Sequence, residues 1–427
     1  MYPTSRLNTV LEQAWKRKHY QQHWLMSLDE ALALLAARQY HAIPIIRKKD
    51  ISENWDTLIE YGDFTDAVSS SGTTGRPVDL PVHRLQEQIW VDCVSRVFSE
   101  LSAVPGDRLL QLLSNNDMFT LGPLVWQAAK KSGIGTFRCS PQRTKRILEV
   151  IKYHQPKFVA GNPNIMLNIA EELGDDFPAP ESLPDYAYFG AGVAFDGNNE
   201  PTPVAKKVMQ LWGLKDALNE YGCSELGSVG HECRCHNGFH VNDDAVFVEL
   251  IDPSTGLPVK KGEPGEVVVT SLTLPRGFIA VRYGTGDISA WIDYEPCECG
   301  RRTPRIGGII GRVDHQLKVL GQTVFPDLIL NIVDTMDNID ASLIVTYSDD
   351  NDAEQVELWV SPTEHPEKAI KSIQKSLEQR LAVYPKIRQI EAAIIKDLQK
   401  KKMAESNGVK LPRLIKVNNI DTYIGLG

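Results

Sequence analysis

The sequence contains no apolar run long enough to span a bilayer. Its first 24 residues mix Arg, Lys, His and Gln with scattered apolar residues and offer no apolar h-region. The first absence means that no segment here is expected to cross a bilayer as a helix, and the second argues against a secretory signal. Basic charge is not in excess either: 46 Lys and Arg stand against 55 Asp and Glu, a formal charge of −9. Nucleic acid or an anionic membrane usually demands a basic face, so neither is expected as a partner. Internal repeats and low-complexity tracts are also missing, which sets aside the repeat architectures. What is there describes a cytoplasmic, enzyme-sized protein. Its 427 residues are 42% hydrophobic and 24% charged, enough for a large core and more than one domain.

Cysteine is scarce but unevenly placed. Of seven, Cys93, Cys139 and Cys223 stand alone, whereas Cys233 and Cys235 form one C-x-C pair and Cys297 and Cys299 another. Close pairs in a cytosolic chain read as metal ligands sooner than as disulfides. His231, His236 and His240 flank the first pair. Two short donor segments of this kind suit the four soft or borderline ligands of tetrahedral zinc.

Periodicity predicts helices over 6–24 and 28–38. From Leu109 to Leu173 the pattern alternates strands (Leu109-Leu113, Gly133-Phe137, Phe158-Gly161) with helices (Leu121-Lys131, Gln142-His154, Pro163-Leu173). That rhythm implies a layered α/β body with parallel strands. After Gly222 the texture becomes β-rich and antiparallel or barrel-like, with strands at Val246-Ile251, Gly265-Leu272 and Phe278-Arg282 broken by turns such as Glu263-Pro264-Gly265. The last hundred residues read as a small α+β unit: strands at Leu343-Tyr347 and Gln355-Val360, a helix from Pro366 to Val383, and a strand at Ile390-Ile395. The tail past Ala404 is polar and expected to be mobile.

The most distinctive stretch is Ser69-Ser70-Ser71-Gly72-Thr73-Thr74-Gly75-Arg76-Pro77. Glycines let a backbone approach a triphosphate closely, and hydroxyls and free N–H groups donate to its oxygens. Arg76 adds a planar cation. The Walker spacing G-x-x-x-x-G-K-[ST] is absent. Taken alone, such a run also serves as a flexible surface turn. It is followed in order by Tyr221-Gly222-Cys223-Ser224-Glu225, by Arg282-Tyr283-Gly284-Thr285-Gly286-Asp287, and by Gly311-Arg312-Val313-Asp314 with Lys318 behind.

In that order these segments resemble the core motifs of the adenylate-forming superfamily, from about Ser69 to Phe325. Within it the sequence is most similar to the phenylacetate–coenzyme A ligase family. The likeness lies in Gly238-Phe239-His240-Val241, Gly262-Glu263-Pro264-Gly265-Glu266, the stretch from Cys297 to Ile306, and Val324-Phe325-Pro326. The resemblance implies a large AMP-binding domain over residues 1–313, layered α/β plus a barrel-like part with a zinc-binding insertion. It implies a small mobile α+β domain over 314–427. It implies ATP-dependent conversion of a small carboxylic acid, aromatic or otherwise compact, to acyl-AMP, then transfer to a thiol, coenzyme A in most members. An acyl carrier protein or an amine stays open as acceptor, a homodimer stays open as assembly, and a catalytically lapsed nucleotide-binding scaffold is the rival of another class.

Roles follow residue by residue. Ser71, Gly72, Thr73, Thr74, Gly75 and Arg76 would hold the β- and γ-phosphates, with Arg76 where members usually carry Lys. Glu225 would complete a Mg2+ site, a carboxylate being a hard ligand. Tyr221 would line the nucleotide beside Gly222, Cys223 and Ser224. Ala191 and Gly192 belong to the adenine turn Phe189-Gly190-Ala191-Gly192, which lacks the usual acidic residue. Asp287 would accept from both ribose hydroxyls, and Arg312 would add a cation near ribose and phosphate. Asp314 holds the hinge position. Lys410, in Ser406-Asn407-Gly408-Val409-Lys410, would be the adenylation lysine. Structural Zn2+ would be held by Cys233, His240, Cys297 and Cys299, leaving Cys235, His231 and His236 as spare donors. Two departures are visible: the region before the phosphate loop is shorter than usual, and Leu330 stands about where members commonly carry Glu.

Overall fold

A computed structural model of the protein describes residues 3–22, 24–70, 77–273, 276–292, 295–313, 317–319, 322–324, 326–336, 338–348, 354–381, 385–405, 412–417 and 420. The chain forms two compact units that meet in sequence between Ile309 and Ile310.

The first unit opens with helices Thr4–Ala14, Lys18–Gln22 and Leu28–Ala36. The first predicted helix is therefore two, interrupted at 15–17, where Trp15 packs against Tyr20 and Trp24 rather than continuing the turn. An antiparallel pair of β1 (Asp66–Ser69) and β2 (Asp79–Val82) follows. The body is an eight-stranded sheet. Its parallel half contains β3 (Arg108–Gln111), β4 (Gly135–Arg138), β5 (Phe158–Gly161), β6 (Tyr186–Phe189) and β7 (Asp216–Cys223). Its antiparallel half adds β8 (Gly227–His231), β9 (Phe239–Val241) and β13 (Arg305–Ile306), and the full order is β13-β9-β8-β7-β6-β5-β3-β4. Helices Leu121–Lys131, Thr144–His154, Pro163–Leu173 and Pro203–Leu211 connect the parallel strands.

Both faces of this sheet are covered, which explains why its strands read as nearly continuous apolar runs. Alternate residues divide between two cores: Leu109, Phe158, Ala160, Tyr188 and Leu218 face one, and Leu110, Val159, Ala187, Phe189 and Ala217 face the other. A separate antiparallel set runs β10 (Val246–Ile251), β11 (Pro264–Ser271) and β12 (Tyr283–Ala290). The expected strand at Phe278-Arg282 does not form. Its segment ends at Arg282 with φ +48°, and the strand begins one residue later. Buried Arg282 instead sends its guanidinium to Glu249 at 2.9 Å and to the His41 carbonyl at 2.7 Å.

The second unit begins with β14 (Gly311–Arg312) and a hairpin of β15 (Leu317–Val319) and β16 (Gln322–Val324). Its sheet has the order β19-β18-β17-β20, made of β17 (Ile339–Ser348), β18 (Glu354–Pro362), β19 (Lys386–Gln389) and β20 (Leu414–Lys416). The strand expected at Ile390-Ile395 is corrected: β19 ends at Gln389 and a helix, Ala392–Glu405, takes over. Its Ala, Leu, Lys and Gln content favours a helix, and Ile395 and Leu398 bury one turn apart. The tail is likewise not uniformly loose, since β20 pairs parallel with β17 and buries Ile415. Leu330, on helix Pro326–Val333, is 1% exposed within an apolar cluster with Ile344 and Leu358, so a carboxylate there would be buried without a partner. Among the described residues no helix is long and apolar enough to cross a membrane.

Candidate functional site

Ligands of open parallel sheets bind outside the carboxyl ends of the strands. At the end of β6, Ala191 adopts φ +57°. Its carbonyl accepts from Asn162 Nδ2 at 2.7 Å, and Asn162 caps the following helix by accepting from Asn164 N at 2.9 Å. The turn carrying Ala191 and Gly192 is thus fixed by the end of β5.

Neighbouring β7 carries Tyr221, Gly222 and Cys223, and turns back into β8 through Ser224, Glu225 and Leu226. The β7–β8 pairing shifts register between Tyr221 and Gly222. A Cβ on Gly222 would lie 2.2 Å from the Gly227 carbonyl oxygen, so the position admits no side chain. Glu225, at the tip, is 7% exposed. Ser224 Oγ donates to the Ser69 carbonyl at 3.0 Å, tying this tip to the last residue of β1. The neck of the phosphate-loop candidate is closed as well: Ser70 N donates to Val78 O at 2.9 Å, and Val78 N to Ser70 Oγ at 2.9 Å.

Asp287 arrives from β12. Between Glu266↔Ile288 and Val268↔Gly284 the register slips, so Thr285, Gly286 and Asp287 bulge out of the ladder opposite Val267. Bulges re-aim side chains, and Gly286 supplies the φ of +77° that this one needs. The Tyr221 hydroxyl lies 3.0 Å from Asp287 Oδ2 and 3.2 Å from Thr285 Oγ1. Burial, and then the negative charge of Asp287, push the Tyr221 phenol well above its usual range, so it stays a neutral donor. Burial and the carboxylates of Glu225 and Asp287 push the Cys223 thiol upward in the same way. Tyr221, Cys223, Glu225 and Asp287 are therefore electrostatic neighbours although the motifs lie 66 residues apart.

Three groups in this neighbourhood were given no role from sequence, Glu266 entering only as the end of the Gly262–Glu266 stretch. Glu220, fully buried on β7, accepts from the Tyr188 hydroxyl and is pushed up to about 7 by burial. Glu266, 0% exposed, accepts from Gly286 N at 3.1 Å and from Arg47 at 2.5 and 2.8 Å. No local pattern marks Arg47, which lies far from every motif.

A second cluster sits at the antiparallel end of the sheet. The ligand atoms of Cys233, His240, Cys297 and Cys299 all lie within 4.8 Å of one another. A tetrahedral zinc with bonds of about 2.3 Å to sulfur and 2.0 Å to nitrogen would place sulfurs about 3.8 Å apart and sulfur about 3.5 Å from nitrogen. The Cys233–Cys297 sulfurs are 3.6 Å apart, and Cys299 Sγ is 3.5 Å from His240 Nε2. His240 Nδ1 meets Thr303 Oγ1 at 2.9 Å, which orients the ring with Nε2 toward the thiols. Burial, then the charges of Arg301 and Arg305, hold His240 down at about 4, in its neutral ligand form.

The spare donors are engaged elsewhere. His231 Nε2 accepts from Arg301 at 2.6 Å. His236 bonds Asp216 at 2.8 Å and stacks on Phe195. Cys235 is not one of the four grouped residues. Arg312 lies on β14 in the second unit, partly buried. Ser71, Gly72, Thr73, Thr74, Gly75, Arg76, Asp314 and Lys410 fall outside the described residues.

No protein-family model matches the sequence. Individual relatives do. The chain is 30% identical over 293 residues to a phenylacetate–coenzyme A ligase of Thermus thermophilus, covering 66% of this chain and 63% of that protein. It is 29% identical over 294 residues to the Pseudomonas putida phenylacetate–coenzyme A ligase, covering 66% and 63%. This chain resembles the phenylacetate–coenzyme A ligases. The match spans under two thirds of those relatives' length. Among solved structures, 2-hydroxyisobutyryl-CoA ligase in its postadenylation state with 2-HIB-AMP aligns with a TM-score of 0.78 at 18% identity, over 99% of this chain and 90% of that one. The same ligase with 2-HIB-AMP and CoA, in its thioesterification state, aligns at 0.64 and 19%, over the same shares. The fold is that of the adenylate-forming enzymes.

Proposed function

We propose that the protein is an ATP-dependent, AMP-forming acid–thiol ligase that activates a compact carboxylic acid as acyl-AMP and passes the acyl group to coenzyme A. One observation carries this reading: the Tyr221–Asp287 contact joins the Tyr-Gly-x-x-Glu hairpin to the Thr-Gly-Asp bulge, with Ser224 binding the same hairpin to the stem of the 71–76 loop.

In this reading the loop 71–76 and Arg76 hold the β- and γ-phosphates, and the fixed turn at Ala191 and Gly192 receives the adenine. Asp287, braced by Tyr221, accepts from both ribose hydroxyls. Glu225 would hold Mg2+, which when bound would neutralise triphosphate charge. Arg312 adds positive charge near ribose and phosphate. Lys410 balances the charge that develops as the acid's carboxylate attacks the α-phosphorus and pyrophosphate leaves. The thiol then attacks the acyl carbonyl and AMP departs. No side chain acts as a nucleophile, so the rate comes from positioning and charge neutralisation. Zinc, if held by Cys233, His240, Cys297 and Cys299, would be structural, because four protein donors would leave it no open position for substrate.

A pyrophosphate-release assay over a panel of aromatic and short-chain acids, with and without coenzyme A, tests the proposal. Pyrophosphate release that depends on one acid, with a thioester formed only when coenzyme A is added, is the expected result. Acid-dependent release with no thioester would remove coenzyme A as acceptor, and no release with any acid would overturn the ligase reading.

A further inference from the structure

The approach of β12 to the Thr285–Asp287 bulge is not supported by its sheet alone. A segment from the N-terminal region runs alongside it in parallel: Ile46 N donates to Arg282 O at 3.1 Å, and Gly284 N donates to Ile46 O at 2.8 Å. The next residue, Arg47, spreads its fork over Glu266, with Nη1 2.5 Å from Oε1 and Nη2 2.8 Å from Oε2. Oε1 of Glu266 also accepts the Gly286 N–H at 3.1 Å. Arg47 is itself fixed, its backbone N–H donating to Asp50 Oδ2 at 2.7 Å. The assembly leaves no space at Gly284, where a Cβ would lie 2.7 Å from Glu266 Oε1 and 2.9 Å from Arg47 Nη1. A charge-assisted chain therefore runs from Arg47 through Glu266 to the N–H immediately before Asp287.

We infer that Arg47, acting through Glu266, is a positioning residue for the Asp287 carboxylate and so sets discrimination for a ribose bearing free 2′ and 3′ hydroxyls. This rests on the reading of Asp287 as the ribose acceptor. Arg47 touches no nucleotide atom in this scheme. Glu266 is fully buried, and a buried carboxylate stripped of its counter-charge is not tolerated. Without Arg47 the carboxylate loses its fixed fork and is free to turn toward water, and the Gly286 anchor loosens. The bulge is held in register by that bond and by Thr285 Oγ1, which donates to Val267 O at 2.8 Å. Loosening it costs the orientation of Asp287 rather than its presence.

The test compares ATP with 2′,3′-dideoxy-ATP by calorimetry on the full chain. Wild type, Arg47→Met, Arg47→Lys and Asp287→Ala are measured in parallel, and circular dichroism melts check that each variant is folded. Arg47→Met should raise the Kd for ATP about tenfold, the scale of one lost charge-assisted contact, and leave dideoxy-ATP within about twofold. Arg47→Lys keeps the charge but not the fork and should fall between, at about threefold for ATP alone. It carries the same comparison if Arg47→Met does not fold. Equal weakening of both nucleotides would make Arg47 merely structural, and unchanged ATP affinity would remove it from the site. A wild type that does not distinguish the two nucleotides, with Asp287→Ala equally indifferent, would overturn the Asp287 reading itself.

Discussion

Single residues in this protein show how burial and partners decide what a charged group can do. Glu357, on β18, is 1% exposed and accepts from Arg388 at 2.6 and 2.8 Å, Lys386 at 2.7 Å, the Tyr347 hydroxyl at 3.0 Å and the Trp359 indole at 3.1 Å. Burial alone would raise its pKa, yet these donors hold it at about 2, below its ordinary 4.5. A carboxylate depressed in the folded state stabilises above the unfolded pKa and loses that stabilisation as pH falls through the folded one. Glu357→Gln should therefore destabilise the second unit by roughly 3 kcal/mol at neutral pH, the scale of breaking a buried pair. The gap from wild type should narrow as pH drops from about 5 toward 2. Amide exchange of β17 and β18 in urea measures it, and a gap constant from pH 6 to pH 3 would contradict the assignment.

At the scale of elements, the zinc candidate is a fastener between two connections. Cys233 and His240 lie on the run from β8 through β9, and Cys297 and Cys299 on the run from β12 to β13. Arg301, within the second run, donates to His231 and to Glu100 on helix Arg84–Glu100, so the same connection is pinned to the body twice. Freshly purified protein should contain about one zinc per chain by elemental analysis, the stoichiometry of a closed four-ligand site. Cys297→Ser should lower the melting temperature more than it lowers the adenylation rate per folded molecule. Metal-free protein with an unaltered melt would show the thiols to be independent of metal. The bulge of β12 works the other way, through one glycine and a register slip that expose Asp287 instead of locking it in the ladder.

On the scale of the whole molecule, the proposed function divides its two half-reactions between residues with different tasks. Asp314, the proposed hinge, follows in sequence on the end of the first unit at Ile309, and as a hinge it would need only to absorb a change in φ and ψ. If Lys410 is the adenylation lysine, Lys410→Ala removes a cation needed only while the α-phosphorus is attacked, so acyl-AMP formation should collapse while supplied acyl-AMP is still converted to thioester. Asp314→Pro fixes φ and should leave adenylation running while transfer to the thiol stalls. Single-turnover assays of each half-reaction separate them. A Lys410→Ala enzyme that adenylates at the normal rate would exclude that lysine, with Lys416 or Lys402 the next to try.

Local pattern was enough to determine the α/β class, helices such as Leu121–Lys131 and Pro163–Leu173, strand β5, and two short donor segments, while the choice of Cys233, His240, Cys297 and Cys299 among their donors came from the family resemblance. Those features follow from periodicity, turn chemistry and close spacing, all carried by neighbouring residues. Tertiary structure decided the rest. Phe278-Arg282 looked like a strand because its apolar residues are local, but Arg282 is turned by partners at His41 and Glu249. Thr285-Gly286-Asp287 was legible as a motif, but only its register against β11 makes it a bulge. Arg47 and Glu266 stand 219 residues apart, and neither carries a mark of the other in its own neighbourhood. A buried carboxylate selects its counter-charge from whatever the fold brings within reach, and only the packed chain determines which residue that is.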